Sequence, residues 1–200
     1  MPLALYNPSV NVAKSPEFDS KRPVASTAAV LRAIFLGPRS FYLNFDPKGS
    51  IREPIVFVLL VSAVAGILSV AANLIFGVAG ASLLDVAALN LAFVVLSPIL
   101  VGVAAGVYLL SVRTFVGPEG NFREVYRMLA YAYGAMILLP FPVINAFAFT
   151  YATMILMGLG IRSVYRTSFL TTLVTTLVGF VPVSLAFLFL LITAGGFVSG

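Results

Sequence analysis

The sequence predicts an all-α integral membrane bundle of five transmembrane helices, with the N-terminus cytoplasmic, the C-terminus outside, and an N-terminal interfacial amphipathic helix. Three observations predict it. Hydrophobic residues make up 60% of the 200-residue chain and charged residues only 10%, whereas a soluble domain carries about 25% charge. A soluble fold of this size keeps too much surface to hide so much apolar side chain. Uncharged stretches recur at the length needed to cross lipid, and every Lys and Arg falls on one side of the topology they define.

Residues 1–23 mix Pro, Ser and Asn with charges of both signs and predict a disordered cytoplasmic tail. They lack the early apolar core of a cleavable signal, so the N-terminal region is expected to stay in the cytoplasm. Residues 24–48 read as an interfacial helix and connector. Val24, Ala28, Leu31 and Phe35 recur at helical spacing, and Gly37-Pro38 stops the run. Arg32, Arg39 and Lys48 beside this stripe suit an anionic leaflet. The alternative is a helix packed against the cytoplasmic ends of the spans.

The transmembrane domain is expected over 49–200. A crossing needs roughly 20 apolar residues for about 30 Å of hydrocarbon. The first span, 54–76, has no charge, opens on Pro54 and ends at Gly77 and Gly80. The second, 86–110, follows Asp85 as an N-cap and carries Pro98, which predicts a kink. Residues 125–161 are too long for one crossing. Pro140 and Pro142 divide them into a short third span, 125–139, and a fourth, 143–161. A re-entrant hairpin over these two is the alternative to a double crossing. The fifth span, 169–192, holds Pro182 and the threonines Thr171, Thr172, Thr175 and Thr176, whose hydroxyls can bond back to their own helix.

Charge tests this arrangement. Seven Lys and Arg precede the first span, Arg113, Arg123 and Arg127 lie between the second and third, and Arg162 and Arg166 lie between the fourth and fifth. The two intervening connections and the C-terminal tail hold none. All 12 basic residues thus share one side, which the positive-inside rule makes cytoplasmic. Tyr108, Phe115, Phe122, Tyr126, Tyr165 and Phe169 gather near the inner span ends, as aromatic rings at the headgroup level do. The net charge of +5 follows from the same rule, and no nucleic-acid partner is expected.

The chain has no Cys and no His, which removes thiolate sites and the usual general base. No span interior holds a charged residue; Asp85 and Arg127 sit at span ends. That pattern argues against proton-coupled transport and against intramembrane proteolysis or metal chemistry. No cofactor is expected. Asn73, Asn90, Ser97, Asn145 and Thr150 fit helix–helix hydrogen bonding; a lipid or small-substrate pocket near Pro98 is the other reading. Gly102/Gly106 and Ala130/Gly134 have the spacing that lets helices approach, within the chain or between copies. The Gly117-Pro118-Glu119-Gly120 loop lacks the Lys-Ser/Thr of a phosphate loop and reads as a turn.

Three stretches carry a family resemblance: LRAIFLGPRSFYLNF over 31–45, ahead of a span opened by Glu53-Pro54; FVGPEGNFREVYRMLAYAYGAMILLPFP over 115–142; and MGLGIRSVYRTSFLTTL over 157–177. They resemble the Ypt-interacting-protein (Yip) domain family in its prokaryotic style, over about residues 28–195. Gly117, Gly120, Phe122, Arg123, Tyr131 and Pro140 are the most specific part, followed by Gly158, Ser163 and Ser168. The resemblance implies five spans and a cytosolic N-terminus. Eukaryotic members sit in early secretory membranes and engage prenylated Rab GTPases. This sequence lacks their Asp-Leu-Tyr-Gly-Pro signature, so Rab binding does not carry over and a prokaryotic plasma membrane is expected rather than endoplasmic reticulum or Golgi.

The functional expectation is a non-enzymatic membrane protein that binds or organises partner proteins or lipids through its basic cytoplasmic face, as a homo-oligomer or an accessory subunit of a complex. Arg32, Phe35, Arg39, Arg113, Arg123, Arg127, Arg162 and Arg166 are the candidate contacts. The alternative is a small permease for a neutral or lipidic solute.

Overall fold

The computed structural model describes residues 14–76, 82–141 and 144–199, and all regular structure among them is helical. In chain order these are α1 (Pro23–Leu36), α2 (Pro38–Leu43), α3 (Arg52–Phe76), α4 (Leu83–Phe115) and α5 (Phe122–Ala132), which runs on as a 3-10 stretch (Tyr133–Leu138). Then come α6 (Asn145–Thr150), a π stretch (Tyr151–Leu156), α7 (Met157–Tyr165) and α8 (Phe169–Ser199). The expectations of disorder before residue 14, of a loop at Gly77 and Gly80 and of Pro142 in a turn lie outside the described residues.

Among the described residues, four helical segments are long and apolar enough to cross a membrane: Arg52–Ile75, Leu83–Phe115, Asn145–Tyr165 and Phe169–Leu190. They overlap the stretches expected as the first, second, fourth and fifth spans. The stretch expected as the third is different in kind. From Val125 to Met136 every residue is buried, so α5 and its 3-10 extension form the middle of the bundle, walled by α1, α3, α4, α7 and the π stretch. The tighter 3-10 winding rises about 2.0 Å per residue against 1.5 Å, giving the 17-residue segment a reach of about 28 Å.

Helix α4 begins three residues before the expected second span. Ser82, not Asp85, is the N-cap: its hydroxyl accepts from the Asp85 amide at 3.1 Å and donates to the Asp85 carboxylate at 2.5 Å. The acid thus sits at N3, in the first turn, rather than at the cap, where it also suits the helix dipole. Inside α4, Pro98 cannot donate to the Val94 carbonyl one turn back. The Ser97 hydroxyl donates to it instead, at 2.9 Å. Ser97 in turn accepts from Ser62 on α3 at 2.8 Å, and Ser62 accepts from Tyr133 at 2.9 Å. A proline defect is thereby converted into a three-helix hydroxyl chain. Ser97→Ala should orphan the Val94 carbonyl and cost about 1 kcal/mol. An unchanged unfolding midpoint in detergent would show that the chain contributes nothing. Asn90 also bonds across, to Ser69 of α3 at 3.4 Å, with Gly66 making room beside it.

Several expectations are corrected by long-range packing. Residues 14–22 belong to no disordered tail but run as a strap across the bundle, with Ser15 and Phe18 buried. Composition gave no hint, because two anchors, Glu17 and Phe18, suffice once their partners are in place. Helix α1 buries Thr27, Val30 and Ile34 rather than a stripe through Val24, which is 80% exposed, and Ala28. The packed face is the one that can approach Gly134, where an added Cβ would lie 2.8 Å from Ile34 Cδ1 and 3.1 Å from Phe57 Cζ. Tyr108 and Tyr126, expected at the headgroup level, are buried between helices, whereas Phe115, Phe122 and Phe169 are exposed.

Candidate functional site

Hydrogen bonds and ring contacts draw the charged ends of the helices to one pole. The Ser20 amide and hydroxyl meet the Glu53 carboxylate at 3.0 and 3.1 Å, joining the head of α1 to that of α3. Tyr165 donates to Glu124 at 3.1 Å, joining the end of α7 to the start of α5. Arg113 Nε donates to the Gly120 carbonyl at 3.2 Å across the α4–α5 turn. Arg162 lies over the Phe169 ring at 5.9 Å, next to the start of α8. The basic connections identified by charge counting are therefore neighbours in space.

At the centre of this pole is Arg127, with a side chain only 1% exposed. Its Nη2 meets Glu17 Oε2 at 2.9 Å, its Nε donates to the Asp46 carbonyl at 3.2 Å, and its Nη1 donates to the Ser50 carbonyl. Its guanidinium lies 5.5 Å from the Phe45 ring centroid and 5.9 Å from that of Tyr131. Gly49 faces it so closely that an added Cβ would fall 2.8 Å from Nη1. A planar fork that donates along several edges and stacks on aromatics is a role only Arg fills. One residue of α5 thus clamps the strap and the loop ahead of α3.

The strap has other fastenings. The Phe18 amide donates to Tyr131 at 3.4 Å, and its ring meets Phe57 at 5.8 Å within an aromatic cluster that includes Phe41, Phe45 and Tyr131. Ser15 donates to the Phe41 carbonyl. Tyr42 donates to the Met128 carbonyl at 3.1 Å, and burial pushes its phenol far above the ordinary value, keeping it a donor. Lys14 bonds Asp46 at 3.1 Å, which holds the Asp46 carboxyl below its usual range and raises Lys14. A carboxyl depressed in the folded state stabilises above its unfolded value, about 3.9, and that contribution is lost as pH falls through the folded value. Backbone amide exchange in residues 14–18 should therefore rise relative to its intrinsic rate below about pH 4; protection that stays constant across that range would leave the tether irrelevant. Such a pair at the surface is a weak fastening beside Arg127.

Among the eight residues predicted as contacts, Arg32, Arg39, Arg113, Arg123, Arg162 and Arg166 are exposed. Phe35 is half-buried, stacked on Tyr151 at 5.9 Å and 4°. Arg127 turns inward and holds the fold together instead of meeting an outside ligand. Arg166 closes α7 in the left-handed conformation, φ 51°. It borders a surface hollow of about 370 Å³ with Glu119, Gly120 and Tyr165. Sequence reasoning missed Glu17 and Phe18, whose partners lie more than a hundred residues away. The signal for Arg127 was available: it is the one charged residue in the stretch expected to be the third span.

One of the comparisons with known proteins identifies a family. The model of the Yip1 domain matches residues 32–192. No curated protein and no solved structure matches the chain.

Proposed function

The chain belongs to the Yip1 domain family, a multi-pass membrane protein by its apolar helices, and on that premise we propose that it is a non-enzymatic organiser whose basic pole faces the cytoplasm and holds anionic groups of partner proteins or lipid headgroups. The observation that carries this reading is the division among the basic residues. Arg127 is consumed internally, while Arg113, Arg123, Arg162 and Arg166 stay exposed on connections held side by side. Three exposed rings, Phe115, Phe122 and Phe169, flank them, the composition of a surface that sits at the membrane boundary.

In this reading the chain crosses five times. The buried central segment has the reach for a fifth crossing, and it is shielded by protein rather than lipid, which explains why it tolerates Arg123, Glu124 and Arg127 near its inner end. The N-terminus lies inside, the C-terminus outside, and the membrane is a prokaryotic plasma membrane. The alternative, a permease for a neutral or lipidic solute, is separated from this reading by the flux measurement below.

The test is purification in mild detergent of the native chain and of a variant with Arg113, Arg123, Arg162 and Arg166 all changed to Gln. The native chain should retain a stoichiometric protein partner or anionic phospholipid, in a salt-sensitive way, and the variant should lose most of it. Equal retention by both would overturn the proposal, as would solute flux through liposomes containing the native chain.

A further inference from the structure

Between α4, the 3-10 and π stretches and α8 lies a cleft of about 140 Å³. Its walls include Val103 and Ala104 of α4, Met136, Phe149, and Ala186 and Phe187 of α8. Phe149 and Phe187 stack at 4.3 Å and 11°, giving one flat side. Three alanines, Ala104, Ala152 and Ala186, where most neighbours are large, leave the space open.

The chemistry of its surface selects the occupant. The lining is almost wholly apolar, and its hydroxyls are engaged: Ser97 donates to Val94, Thr153 donates to Phe149, and Tyr133 is bonded to Ser62. A buried water needs two to four polar partners, and here none is free. The mouth opens sideways, past Val103 and Leu190, which are 63% and 43% exposed. Both belong to helices that cross the membrane, so what lies outside the mouth is hydrocarbon and not water. An unfilled cleft would forfeit dispersion contacts along its whole lining. Its size is close to the roughly 150 Å³ apolar cavity that takes up benzene, which suits a slim chain end and not a fused-ring lipid.

We propose that this cleft is a binding site for one acyl chain of a membrane phospholipid. The site is separate from the basic pole and stands whether or not that pole binds anions. Because the chain contains no Trp, a Phe187→Trp variant has a single emitter in the cleft wall, and Leu185→Trp, on the exposed face of α8, serves as the lipid-facing control. In vesicles of phosphatidylcholine brominated on its acyl chains, both should be quenched. Adding Ala104→Phe fills the cleft. It should cut quenching at position 187 several-fold and leave that at position 185 unchanged. Quenching at 187 that is missing, or indifferent to Ala104→Phe, would overturn the proposal; so would a cleft closed by a second copy of the chain, which would shield position 187 from the start. A measurement independent of Trp uses the native chain with a phosphatidylcholine bearing an acyl-chain diazirine. Cross-links should concentrate on residues 103–107 and 183–190. An even spread over other exposed positions such as Leu91 and Val95 would count against the site.

Discussion

Arg127→Ala is expected to destabilise the folded chain by about 3–5 kcal/mol, the range for removing one partner of a buried ion pair. The substitution leaves the Glu17 carboxylate, 23% exposed, without its cation, and leaves the Asp46 and Ser50 carbonyls without donors. It also opens a hole against Gly49, Phe45 and Tyr131. Arg127→Lys should recover part of the loss, because an ammonium can satisfy one or two of these partners but cannot stack or fork. The strap carries Lys14 and Lys21, so its release is readable by trypsin under native conditions. Each 1.4 kcal/mol of lost local stability raises the open population about tenfold, and cleavage should rise accordingly in Arg127→Ala before the bundle itself unfolds. If cleavage in the strap is unchanged while the midpoint falls, the clamp acts on the loop ahead of α3 and not on the strap.

Gly179→Ala is the second large effect. An added Cβ at position 179 falls 3.0 Å from Tyr108 Cγ and closer still to Cδ1 and Cε1. The ring cannot swing away, since Tyr108 is fully buried and its hydroxyl donates to the Thr153 carbonyl in the π stretch. Overpacking of a filled core costs about 1–3 kcal/mol, and this site belongs at the upper end because the obstacle is the root of a pinned ring. Tyr108→Leu should relieve the clash, so the double variant should be more stable than the sum of the single effects, by the non-additivity expected of touching residues. Strict additivity in thermal unfolding would show that α8 simply moves outward.

These two sites also show where a sequence stops being informative. The apolar stretches of α3, α4 and α8 are legible because lipid demands length and lack of charge, both local properties. The gathering of the basic connections at one pole was legible for a similar reason: sidedness is a count. What Arg127 touches is set by residues 17, 46 and 50, and no local pattern announces them. The same holds for the strap, and for the face of α1, where Gly134 decided the register against the larger side chains Val24 and Phe35. Gly179 drew no notice because a glycine's role is defined by the ring opposite it. The cleft is a concavity, visible only once α4 and α8 are set against the central segment. Only Pro98 pointed toward it, through the expectation of a pocket near that residue.

Every basic connection should face one compartment while the helices between them cross lipid. The native chain has no Cys, so single substitutions Ser50→Cys, Glu119→Cys, Arg166→Cys, Ser82→Cys and Phe141→Cys can each be probed with a membrane-impermeant maleimide on intact cells and on inverted vesicles. Positions 50, 119 and 166 should react only in inverted vesicles, and positions 82 and 141 only on intact cells. Labelling of 50 and 119 from opposite sides would contradict the shared basic pole, and labelling of 141 from the same side as 50 would contradict the fifth crossing.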